Sequence, residues 1–170
     1  TANRKVLILD SEGGKIIPSQ QFKTEHNQLV VNGKANIAQN GTLEIEFSET
    51  TKGLMYEGAA RYGQLNEKDL NIRLKNRFSD LQGITFTKKE FENNWNEAIF
   101  TSTFAFSVPN YAKIQGNNMI VNLIPVNRET TSLKKIKNRQ FDFEIDKDYV
   151  DELSYVLTLP SGYKMPQKFT

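Results

Sequence analysis

Arg139 to Pro166 reads RQFDFEIDKDYVDELSYVLTLPSGYKMP, and it is the stretch that decides the fold class. Phe141, Phe143 and Ile145 alternate with Asp142, Glu144 and Asp146. Leu153, Tyr155, Leu157 and Leu159 then alternate with polar or smaller neighbours. A period of two puts one set of side chains on a buried face and the other in water. The chain therefore reads as ending in an antiparallel sheet, closed by a Leu-Pro-x-Gly-Tyr corner at Leu159–Tyr163.

The same alternation recurs upstream. Arg4 to Asp10 is a short apolar run that reads as a strand, closed by the turn Ser11-Glu12-Gly13-Gly14. Residues 28–38 and 42–48 flank Asn40-Gly41, whose two residues suit the positive-φ positions of a type I′ hairpin turn. Leu43, Ile45 and Phe47 then face the core while Glu44 and Glu46 face water. Phe100, Ser102, Phe104, Phe106 and Val108 form another buried face, stopped by Pro109. Shorter strands are expected over 83–87 and 119–124, the latter entered through Gly116-Asn117-Asn118 and stopped by Pro125.

Between these runs the period changes. Leu54, Gly58, Tyr62 and Leu65, and again Leu70, Leu74, Phe78 and Leu81, recur every three or four residues, the spacing of a helical stripe. Asn66 suits the N-cap of the second helix, with Asp69 in its first turn and Arg73 one turn on. Gly58 and Gly63 make the first helix irregular. The fold class is α+β, mainly β: an antiparallel β-sandwich or curled sheet with one or two helices inserted mid-chain. Residues 1–170 read as one β-rich domain, with the helical insertion at about 52–81, and as a piece of a larger protein.

Composition narrows the chemistry. At 170 residues the chain buries roughly 70% of its unfolded surface. Its 11 Phe, 6 Tyr and single Trp are enough to fill a core. A net charge of +2 provides no field for nucleic acid, and no run of 18 apolar residues crosses a membrane. Zero cysteines excludes disulfides, thiolate catalysis and thiolate metal sites.

Candidate sites are correspondingly sparse. His26, the only histidine, lies in the polar run Lys23-Thr24-Glu25-His26-Asn27-Gln28 and reads as a surface residue. Asp142, Glu144, Asp146, Asp148 and Asp151 are similar to a calcium loop, but Lys147 and Leu153 stand where that loop needs glycine and a bidentate acid. Gly53, Gly58 and Gly63 lack the Lys-Ser or Lys-Thr of a phosphate cradle. Lys134, Lys135, Lys137 and Arg139, in the basic loop 127–139, lack interleaved aromatics for base stacking. Asn40-Gly41-Thr42 is formally a glycosylation sequon, but the turn accounts for it. Trp95, Tyr56, Tyr62 and Tyr111 suit a sugar-stacking platform if exposed, and core packing otherwise. No catalytic, cofactor-binding or metal-binding residue is assigned, and no cofactor is expected.

One resemblance adds to this. Arg139 ahead of Phe141 and Phe143, then Tyr155 to Tyr163 with its Leu-Pro-Ser-Gly-Tyr corner and Pro166, resembles a β-rich module of unknown function. That module follows the transglutaminase-like core of large exported proteins in Gram-negative bacteria. The strand at Val6–Asp10, the Asn40-Gly41 hairpin and the helical stretch with Gly58 and Arg61 are similar to it too. A core of that kind uses a Cys nucleophile, a His and an acid, so the resemblance implies that catalysis lies outside this chain. It implies a non-catalytic accessory domain, periplasmic or on the cell surface, whose partners are an upstream transglutaminase-like domain and an envelope polymer. It also implies a last sheet with an open edge, able to pair with a second molecule. Three rivals stand beside it: a carbohydrate-binding β-sandwich module, a small carboxylate-dependent hydrolase, and a spacer without a ligand.

Overall fold

A computed structural model describes residues 4–19, 21–123, 125–126, 138, 140 and 148–165. Nine strands are present among them: β1 (Lys5–Asp10), β2 (Gly13–Pro18), β3 (Gln28–Ile37), β4 (Leu43–Lys52), β5 (Thr85–Asn94), β6 (Ile99–Val108), β7 (Lys113–Gln115), β8 (Asn118–Ile120) and β9 (Val150–Thr158). Two helices, α1 (Tyr56–Ala60) and α2 (Glu67–Arg77), sit between β4 and β5. The chain is α+β and mainly β. Its main sheet has the order β5-β6-β4-β3-β9, while β1-β2 and β7-β8 form separate two-stranded ribbons.

The strict alternation of β4 and β6 makes them the centre of the sheet. Leu43, Ile45 and Phe47 are buried, as are Phe100, Phe104, Phe106 and Val108, while Glu44 and Glu46 are exposed. The layer over this face is helix and loop rather than a second sheet. Leu70 and Leu74 of α2, with Phe78 and Leu81 just beyond it, join the same core, and Ala112 and Val126 extend it. Phe78 lies 6.2 Å from Phe104 and 5.4 Å from Phe106, centroid to centroid, so aromatic packing joins helix and sheet. The opposite face presents Lys34, Asn36, Glu44, Glu46, Ser154 and Thr158 to solvent.

Helix α2 begins as its sequence requires. The Asn66 side chain accepts a hydrogen bond from the Asp69 N–H at 2.9 Å. Glu67 and Asp69 occupy the first turn and Lys75 and Arg77 the last, complementing the helix dipole. The first helix is broken into 3₁₀ turns at Gly53–Met55 and Arg61–Gln64 around the five residues of α1.

Several expectations are corrected. The hairpin at Asn40-Gly41 is present, but only Gly41 has positive φ (80°). The Gly41 N–H donates to the Ala38 carbonyl and the Ala38 N–H to the Thr42 carbonyl, giving a three-residue loop in place of a type I′ turn. The strand expected over 83–87 is β5, which starts at Thr85 and runs on to Asn94, with a bulge at Thr87 that shifts its register against β6. Phe86 and Phe91 therefore share the core face although five residues apart, which breaks the simple alternation. The strand expected over 119–124 is only β8, paired with β7. Strand β9 runs parallel to β3, not antiparallel. β9 does not follow β3 in the chain, so no tight hairpin fixes its direction. The alternating residues Phe141, Asp142, Phe143, Glu144, Ile145 and Asp146 lie outside the described residues.

Candidate functional site

Three places concentrate unusual side chains. The first is a buried charge at the junction of α2 and β4. Alternation places Glu49 on the core side of β4, 6% exposed, and it is the only buried acid among the described residues. Arg77, in the last turn of α2, donates to it through Nη2. The Arg77 guanidinium also lies 5.9 Å from the Phe104 ring centroid and 6.0 Å from that of Tyr62. Burial disfavours the Arg77 charge, but Glu49, by charge and hydrogen bond, leaves its pKa above the ordinary guanidinium value. The Tyr155 hydroxyl is pushed above the usual phenol range, first by burial and then by the Glu49 charge. Glu49 thus faces a cation rather than a second carboxylate, an arrangement that joins elements and offers no acid–base pair.

The second place is the β1-β2 ribbon. Leu7, Leu9 and Ile16 share one face, at 62%, 75% and 70% exposure. Ile8 and Ile17 occupy the other face at 45% and 39%. Its turn is well formed: the Glu12 N–H donates to the Asp10 carboxylate at 2.9 Å, and Gly13 has a φ of 131°. The Leu7 and Leu9 side chains fold over Gly14, where a Cβ would lie 3.1 Å from Leu7 Cδ1. Among the described residues no backbone hydrogen bond joins the ribbon to the main sheet.

The third place is the β5-β6 turn, where Trp95 is 65% exposed. Its ring meets Tyr56 edge-on, with centroids 6.1 Å apart and planes at 80°. The Tyr56 hydroxyl in turn donates to the Asn93 side chain at 2.8 Å. The other candidate aromatics are committed elsewhere. Tyr62 stacks on Phe91 at 6.4 Å under Arg73, and the Tyr111 hydroxyl donates to the Asn122 carbonyl at 2.7 Å.

The remaining candidates are scattered. His26 is exposed in a 3₁₀ turn, its Nδ1 accepting the Lys23 N–H at 3.3 Å. Asn27 beside it is fully buried, and nothing in its polar neighbourhood signals this. Its amide donates to the Asp148 carbonyl at 3.0 Å and accepts the Leu54 N–H at 2.9 Å, tying together the starts of β3, the helical insertion and β9. A groove of about 540 Å³, lined by Met119, Ile120, Leu159, Tyr163 and Met165, carries Lys164 as its one charged group among the described residues. No group of three His, Asp or Glu close enough to hold a metal exists among the described residues. No helix among them is long and apolar enough to cross a membrane. The basic residues Lys134, Lys135, Lys137 and Arg139 and the acids Asp142, Glu144 and Asp146 lie outside the described residues.

Comparison with known proteins finds no matching family model, no matching curated protein and no matching solved structure.

Proposed function

We propose that this chain is a non-catalytic accessory domain, a binding or scaffolding module that docks on a transglutaminase-like core of the same exported bacterial protein. The observation that carries the reading is the β1-β2 ribbon. It leaves Leu7, Leu9 and Ile16 in water on a two-stranded sheet, an element marginal by itself. Burying each such side chain is worth about 1.5–3 kcal/mol, so a protein surface laid over the ribbon gains substantially. Exposed aliphatic clusters of this kind mark protein contacts. The absence of Cys assigns any transglutaminase-type nucleophile to another segment. A periplasmic or cell-surface location follows from the resemblance of the Tyr155–Tyr163 corner.

The reading frame around this chain supplies the test. The expected result is a neighbouring segment with a Cys, a His and an Asp in a transglutaminase-like setting. Produced separately, that segment binds this chain in calorimetry. Leu7→Asp with Leu9→Asp weakens binding by about tenfold or more while leaving the thermal midpoint in place. A frame without such a segment, or binding indifferent to both substitutions, refutes the proposal.

A further inference from the structure

We infer that the β5-β6 turn is a carbohydrate-stacking site, with Trp95 as a fixed platform for the flat faces of a β-1,4-linked, gluco-configured chain. The inference rests on the turn alone and stands whether or not the β1-β2 ribbon docks on a core.

An indole 65% exposed forfeits most of the gain that burial would bring. Here it is also held in place. The Asn94 side chain accepts the Glu97 N–H and donates to the Glu97 carboxylate, both at 3.2 Å, so the turn is pinned at both ends. Ala98 closes it with a φ of 51°, a left-handed conformation that alanine adopts only when its surroundings impose it. Tyr56 meets the indole edge-on and is itself anchored to Asn93. A flat aromatic surface is therefore presented to solvent with little freedom left to lose on binding.

The rim supplies the rest. Asn96 and Glu97 share the four-residue turn with Trp95, Asn94 precedes it at the end of β5, and all three are exposed. Amide and carboxylate groups around one indole match a ligand whose ring faces are C–H surfaces and whose edges are hydroxyls. Rings with equatorial substituents present such a face on either side, and a β-1,4 chain keeps successive faces nearly coplanar. An α-1,4 chain curves, so fewer of its successive rings share the plane of the indole, and it is the weaker ligand. The Glu97 carboxylate in the same turn disfavours a polyanionic chain, which favours a neutral one.

Trp95 is the only tryptophan, so its fluorescence reports on this turn and on nothing else. The experiment titrates the whole chain with cellohexaose, chitohexaose and maltohexaose. The expected result is a saturable blue shift or quench with at least one of the two β-linked hexamers, with a Kd on the order of 1 mM or tighter. Maltohexaose gives a weaker response. Calorimetry on Trp95→Ala shows that binding lost, with the thermal midpoint unchanged. Tyr56→Ala, which frees the indole, weakens it about tenfold. No response to either β-linked hexamer, an equal response to maltohexaose, or binding that survives Trp95→Ala each overturns the inference.

Discussion

Arg77 and Glu49 show how one ion pair can serve packing and position together. Glu49 lies between Phe47 and Thr51 on the buried side of β4, where an unpaired carboxylate would be costly. The Arg77 guanidinium reaches it from the last turn of α2, passing over the rings of Phe78 and Phe104. Helix position and sheet register are thus tied at one point. Glu49→Gln removes the charge and leaves Arg77 largely buried without its counterion, which is expected to destabilise the fold by about 3 kcal/mol. The double substitution Glu49→Leu with Arg77→Met removes both charges and should recover most of that loss. Urea denaturation of the three proteins decides it. If Glu49→Gln costs under about 0.5 kcal/mol, the pair is a surface contact and not a clamp.

At the scale of the element, the β3-β4 hairpin shows both what the sequence discloses and what it hides. Its existence is legible from Asn40-Gly41 and from the alternation of Leu43, Ile45 and Phe47, because hydrophobic period and turn chemistry agree there. The turn type is not legible, since it depends on a distant partner. The Ala112 N–H donates to the Gly41 carbonyl at 2.9 Å, and a Cβ on Gly41 would overlap the Ala112 carbonyl oxygen. Strand β5 was hidden in a different way: the bulge at Thr87 moves Phe91 into phase with Phe86, so no single period covers Thr85–Asn94. The partner of β9 was hidden too, because alternation marks a face but not the direction of the neighbouring strand. Of the site, the candidate Trp95 could be named from sequence, but its exposure depends on Tyr56 and on the turn around it. The ribbon's bared leucines read as an ordinary strand. Gly41→Ala combines a left-handed φ with a backbone clash, so it should destabilise by more than the 1–2 kcal/mol of the φ penalty alone. Its amide signals should change both at 38–42 and at Ala112. Changes confined to 38–42 would mean that the loop does not rest on Ala112.

Across the whole molecule, stability is unevenly spread. The β3-β4-β6 centre under α2 holds Phe47, Phe104, Phe106 and Leu74 at 2% exposure or less. The β1-β2 ribbon has one strand pair, two open edges among the described residues, and aliphatic side chains in water on both faces. Amide hydrogen exchange should therefore fall into two tiers. Backbone amides of β4 and β6 are expected to exchange only through global unfolding, their apparent free energies matching the denaturant value. Those pairing Val6 with Ile17 and Ile8 with Lys15 should exchange through local opening, at free energies several kcal/mol lower. A docked partner should slow the second tier while leaving the first in place, which separates cover of the ribbon from general stabilisation. If the ribbon amides of the free chain are already protected as strongly as those of β4, the ribbon is stable by itself. The argument that Leu7, Leu9 and Ile16 await a protein surface would then lose its physical basis.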